Sequence, residues 1–528
     1  MTDATAPPAQ QIAAGYATAG QALELGSVMV GGQVDPSAQI RIPLAMMNRH
    51  GLVAGATGTG KTKTLQVIAE QLSAAGVPVV MADFKGDLSG LSRPAESNDK
   101  IAERARDTAD QWVGTPYPVE FLSLGTTGIG VPVRATISAF GPILLSKVLG
   151  LNQNQESTLG LIFHYADQQG LPLLDLKDLR QLITFLTTTA EGKAQLKTLG
   201  AVSPQTAGVI LRALVNLEAD GGDTFFGEPD LDPADLLRVN DQGKGVISLF
   251  EVGDQASRPV MFSTFLMWVL ADLFDYLPEV GDVDKPKLVF FFDEAHLLFK
   301  DASKAFMEQV EQTVKLIRSK GVGVFFCTQL PTDVPNAVLS QLGARIQHAL
   351  RAFTPDDQQA LAKTVRTYPK TEFYDLASDL TSLGIGEAIV TVLSERGAPT
   401  PVAWTRLRSP RSLMDTIGPD YIKAAAQASP QFLKYGQTVD RESAYEMLAA
   451  RMAPPPAAEP AGQTIDLPPI PTGLDLPPMP EPVERAEPSV LEQMMGNPAF
   501  KSAMRSAGTV IGREITRSIF GTGRRRRR

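Results

Sequence analysis

Short runs of apolar residues alternate along this chain with segments whose apolar positions recur every three or four residues. GLVA (51–54), VPVVMADF (77–84), VEFLSL (119–124), GVISLF (245–250), KLVFFFD (287–293), GVGVFFCT (321–328) and AIVTVL (388–393) are strand-length and nearly continuous in apolar character. Such runs suit strands of a parallel sheet covered on both faces. Between them lie helical patterns, as in the stretch carrying Leu65, Ile68, Ala69 and Leu72 at i, i+3, i+4 and i+7. Strands alternating with helices predict an α/β layered fold with a mostly parallel sheet. Around residues 24–48, LELGSVMV and AQIRIPL predict short strands about a Gly-Gly turn.

The pattern changes between Phe140 and Leu237. SKVLGLNQNQESTLGLIFHYADQQG, DLKDLRQLITFL and QTAGVILRALVNLEAD read as amphipathic helices, so a helical bundle is expected inside the layered domain. The expected organisation is an N-terminal arm with short strands (1–50), a first part of the core (51–139), the helical insertion (140–240), a second part of the core (241–410) and a helical extension (411–452). A Pro-rich linker (453–489), extended and unable to pack a core, then leads to an amphipathic helix and Arg-rich tail (490–528).

Composition narrows the class. At 528 residues, 43% hydrophobic and 20% charged, the chain has an ordinary globular balance. No apolar stretch approaches the ~20 residues of a membrane span, and the N-terminus lacks the pattern of a secretory signal, so an intracellular, cytoplasmic setting is expected. One cysteine, Cys327, excludes a disulfide framework within the chain, and four scattered histidines speak against a His-cluster metal site. The net charge of -9 is uneven. Residues 498–528 carry nine Lys/Arg against Glu514, a charge of +8 that leaves -17 on the rest. Contact with nucleic acid must therefore come from local patches or the tail.

Gly55-Ala56-Thr57-Gly58-Thr59-Gly60-Lys61-Thr62 fits GxxxxGK[ST], with a strand before it and a helix after it. Glycines let backbone N–H groups converge on phosphate oxygens, and the helix N-terminus adds partial positive charge. The predicted nucleotide-binding set is Gly55, Thr57, Gly58, Thr59, Gly60, Lys61, Thr62 and Thr64, with Lys61 against the β- and γ-phosphates and Thr62 a Mg²⁺ ligand. Asp293, ending an apolar strand, is the expected second tether of the metal, and Glu294 is placed to polarise the attacking water. Gln329, just after the next apolar strand, is a candidate sensor of γ-phosphate and water, or a loop-start amide. Asp83 ends another strand at the same edge and orients the site or caps a turn, and His296 completes a DEAH string as a structural or a functional residue.

AGATGTGKT, MADFKGDLSGL, FFFDEAHLLF, KLIRSKGVGVFFCTQLPTDVP, LSQLGARIQHALRAFTP and LGIGEAIV together resemble the HerA-like ATPases, most closely the bacterial YjgR-type branch. The resemblance covers about residues 24–410. It implies a RecA-like P-loop core related to FtsK, interrupted by a helical bundle, working as a hexameric ring on double-stranded DNA with ATP and Mg²⁺. It also implies an arginine acting on the neighbouring subunit's site. Arg318 is the best positional match, with Arg345 and Arg351 as competitors, and each could equally be a surface ion-pairing residue. HerA proteins begin with a complete small β-barrel, whereas only the strand-like residues 24–48 precede the phosphate loop here, as a vestige of one.

Two functions from different classes remain. One is a motor that moves or remodels duplex DNA, with Lys304, Lys315, Lys320, Lys363 and Arg366 as basic candidates that also read as solvated helix faces. The other is an ATPase acting on a protein or signalling partner, recruited through the tail, with no DNA track. A helicase of the DEAH type is excluded, because that layout needs two RecA-like cores.

Overall fold

The computed structural model describes residues 6–83, 86–198, 202–251 and 259–452. The Pro-rich linker and the basic tail expected from the sequence lie outside them. The described residues form one twelve-stranded sheet: β1 (Ala22–Val30), β2 (Gln33–Pro43), β3 (Gly51–Ala54), β4 (Val79–Asp83), β5 (Val119–Leu124), β6 (Val131–Val133), β7 (Ile247–Glu251), β8 (Leu288–Phe292), β9 (Val322–Thr328), β10 (Ala344–Gln347), β11 (Glu387–Thr391) and β12 (Ala403–Leu407). Their order is β2-β1-β12-β11-β10-β3-β9-β8-β4-β7-β5-β6. From β10 to β6 every neighbouring pair is parallel. From β2 to β10 every pair is antiparallel. The architecture is thus α/β and mostly parallel, with an antiparallel wing.

The parallel strands are apolar throughout because both faces are covered. All five residues of β8 and all seven of β9 are buried. Successive residues serve opposite cores. Phe290, Phe292, Val324 and Phe326 join the cluster that includes the helical insertion, whereas Val289, Phe291, Phe325 and Cys327 join the cluster beneath the helix Lys61–Ala74. Rings on adjacent strands also touch across the pleat, Phe291 with Phe325 at 5.4 Å and Phe292 with Phe326 at 5.4 Å between centroids.

Between β6 and β7 run helices at Ile137–Val148, Gln153–Gln169, Leu176–Thr188, Ala190–Thr198 and Pro204–Ala219. The chain breaks cleanly between the first two, because Asn152 and Gln155 form a reciprocal capping box at the second. The insertion grips the segment that follows β8: Lys147 Nζ donates to the Lys300 carbonyl, and Ser303 Oγ donates to Glu156 Oε2 at 2.7 Å. The helix Pro259–Tyr276 packs its apolar face into the same cluster. Among the described residues no helix is long and apolar enough to cross a membrane.

Candidate functional site

A tight turn joins β3 to the helix Lys61–Ala74. At Gly55 φ is +152°, and a Cβ there would stand 2.5 Å from His348 Cβ, so glycine alone fits. At Gly60, the residue before the helix, φ is +111°. The turn is pinned by the end of β9 and by residues just after β10 and just before β11. Gly55 N–H donates to the Thr328 carbonyl at 3.2 Å, Ala56 N–H to the Ala349 carbonyl at 2.8 Å, and Gly386 N–H to the Thr59 carbonyl at 3.1 Å. Thr59 Oγ1 closes it internally on the Ala56 carbonyl at 2.8 Å. Thr57 and Gly58 stand exposed at its crest, and Lys61 and Thr62 are half-buried at the helix start. Lys61 Nζ lies over the loop, donating to the carbonyls of Gly55 (2.6 Å) and Ala56 (3.2 Å). The hydroxyl of Thr64 points below the loop, 2.9 Å from His348 Nε2.

The acid pair sits at the same edge of the sheet. Strand β9 lies between β3 and β8, pairing Val53 with Cys327 on one side and Phe292 with Phe326 on the other. Asp293 therefore leaves β8 level with the phosphate loop, two strands or roughly 10 Å away. The Cys327 thiol reports the proximity. It donates to the Asp293 carboxylate, and its pKa is pushed well up by burial and by the Asp293 charge, with Lys61 opposing. Glu294 has φ +48°, an uncommon conformation for a residue with a Cβ, and its N–H turns back to Asp293 Oδ1 at 2.9 Å. Glu294 Oε2 is buried without a hydrogen-bond partner. His296 Nδ1 approaches it to 3.4 Å, an ion-pair distance without hydrogen-bond geometry.

Gln329 is exposed at the carboxyl end of β9, next to the loop. Arg318 is exposed at the other end of that strand. With β9 spanning seven residues, about 23 Å, Arg318 stands at the sheet edge opposite Lys61. Arg351 is beside its own phosphate loop, its Nη2 3.4 Å from the Thr57 carbonyl. Arg345 donates to the Thr367 carbonyl. Asp83 receives the N–H groups of Gly86, Asp87 and Leu88, a turn-holding arrangement. Beside it, Glu251 at the end of β7 is buried, and burial together with the Asp83 charge pushes its pKa up to about 8. Of the basic candidates, Lys320 is committed to the Leu277 carbonyl and the Phe274 ring. His348 and Gly386 were not singled out in the sequence, whereas Arg351, a candidate for the neighbouring subunit's site, stands beside the loop of its own chain.

A turn of backbone donors, an ammonium and two carboxylates at the carboxyl edge of a parallel sheet suit an anion carrying a metal. The oxygen donors there, Thr62, Asp293 and Glu294, are hard ligands of the kind Mg²⁺ takes. A family model, helicase HerA-like C-terminal, matches residues 29–528. The chain belongs to that family. Among curated HerA-like relatives, the DNA double-strand break repair helicase HerA of Saccharolobus solfataricus is 22% identical over 369 residues, 69% of this chain and 66% of the relative. The chain thus spans just under two thirds of that protein. A probable helicase of Methanocaldococcus jannaschii is 31% identical over 153 residues, 28% of this chain and 27% of its own. Among solved structures, the conjugative coupling protein TrwB, lacking its first 70 residues, superposes with a TM-score of 0.50 at 15% identity, covering 77% of this chain and 94% of that one. That likeness supports the RecA-like P-loop fold.

Proposed function

We propose that this HerA-family chain is an ATP-hydrolysing motor that assembles as a hexameric ring in the cytoplasm and drives duplex DNA. The observation that carries it is the placement of the Gly55–Thr62 turn and the Asp293–Glu294 pair at one edge of the sheet, on either side of β9. Membership of the HerA-like family, and the relative described as a DNA repair helicase, support the DNA track.

In this reading Lys61 swings from the Gly55 and Ala56 carbonyls to the β- and γ-phosphates, while the loop amides hold the phosphate chain. Thr62 and Asp293 would hold Mg²⁺, which neutralises charge on the phosphates. Glu294 takes the proton of the attacking water; a buried carboxylate oxygen with no hydrogen bond already made is suited to that. Gln329 orients the water or senses the γ-phosphate. Arg318, on the far edge from its own loop, serves only a neighbouring subunit's site, which makes the ring a requirement for turnover.

ATP turnover measured with and without duplex DNA tests the reading. Turnover rises with DNA, and DNA affinity falls steeply with salt. Glu294→Gln retains nucleotide binding and loses at least about 100-fold in rate. Turnover indifferent to DNA but raised by a protein bound to the tail supports the protein-directed ATPase instead.

A further inference from the structure

His348 follows β10 and is fully buried, its backbone N–H on the Ala54 carbonyl at 2.7 Å. The ring forms the wall behind the phosphate loop. The Cβ of His348 would meet a Cβ at Gly55, and its ring Cε1 would lie 3.6 Å from a Cβ at Gly60. Nε2 is 2.9 Å from Thr64 Oγ1, and that hydroxyl donates to the Gly60 carbonyl at 3.3 Å. A hydroxyl has one proton. Placing that proton on Gly60 makes Thr64 Oγ1 the acceptor from His348 and assigns the ring as the Nε2–H tautomer. The ring is neutral at pH 7, since burial and the nearby Lys61 charge push its pKa down to about 4.

The Gly60 carbonyl also accepts the Thr64 N–H at 3.0 Å. In a planar trans peptide the carbonyl and the next N–H point opposite ways. Holding the Gly60 carbonyl toward Thr64 therefore turns the Lys61 N–H outward, into the cradle. We infer that His348 is a positioning residue for the phosphate loop, acting through the Thr64 hydroxyl to fix the Gly60–Lys61 peptide in its anion-binding orientation. On this assignment the Thr64 side chain serves the loop from below rather than touching nucleotide. The inference rests on the nucleotide-binding reading of the same loop.

The test is ATP·Mg²⁺ binding to the full chain by titration calorimetry, with thermal melting as a check on folding. His348→Phe keeps the ring volume and removes the donor, and Thr64→Val removes the relay. Each weakens binding about tenfold, and the double variant is no weaker than either single. His348→Gln, which restores an N–H near the Nε2 position, binds within about twofold of wild type. Wild-type binding in Thr64→Val or in a folded His348→Phe, additive losses in the double variant, or His348→Gln as weak as His348→Phe would each overturn the inference while leaving the nucleotide site standing. Should His348→Phe not fold, Thr64→Val and His348→Gln decide it alone. A wild-type chain that binds no nucleotide overturns the functional reading, and the inference with it.

Discussion

Glu251 and Glu294 both stand at the carboxyl edge of the sheet, yet their surroundings fit them for different ends. Glu294 follows Asp293 at the end of β8, with β9 between it and the phosphate loop. Glu251 is buried beside Asp83, with Oε1 lacking a partner, and its carboxyl is pushed up to about 8 from an ordinary value of 4.5. Below pH 4.5 both folded and unfolded chains hold that proton. As pH rises toward 8 the unfolded chain releases it first, so the folded state loses stability across that window. Glu251→Gln should remove this stability component, which is on the order of a few kcal/mol, so that melting temperature falls less between pH 5 and pH 8 than in wild type. Melting curves at those two pH values check it, and parallel pH slopes contradict it. At this scale Lys61, Thr62, Asp293 and Glu294 were legible, because each lies in a contiguous motif. His348 was not, since its role depends on β10 lying next to β3, and no local pattern announces that pairing.

Strands were legible where both faces are buried and opaque where they are short or half-exposed. β8 and β9 read directly as apolar runs. β6, three residues with Pro132 at its centre, is an edge strand too short to register. β10 carries Arg345 in four residues, and β12 alternates buried with half-buried positions. The hairpin β1–β2 was visible, but its destination was not: β1 pairs with β12, some 380 residues later, joining the hairpin to the main sheet. Gly26 makes that approach possible, since a Cβ there would lie 1.9 Å from the Arg406 carbonyl oxygen, a backbone atom that cannot yield. Gly26→Val should therefore pry the wing apart and cost about 3 kcal/mol or more, measurable by denaturant unfolding. An unchanged midpoint would mean that the wing tolerates a wider strand spacing than its register implies.

Across the whole molecule the sheet divides its labour. The antiparallel wing and the segments around His348 and Gly386 buttress one flank of the phosphate loop, and the parallel strands β9 and β8 present Gln329, Asp293 and Glu294 on the other. The helical insertion grips the segment after Glu294 through Lys147 and Glu156, which bond Lys300 and Ser303. The layered class and the insertion could be read from periodicity alone, because both are repeated local patterns. The antiparallel wing could not, because it is built from contacts between chain ends. All of the proposed activity depends on a triphosphate seated in the turn at 55–62 with its metal reached by Asp293. Calorimetric titration of ATP·Mg²⁺ into wild type and into Lys61→Ala tests this most directly. Saturable binding that requires Mg²⁺, abolished in a Lys61→Ala chain that melts like wild type, is the predicted result; equal affinity in the two proteins would contradict it.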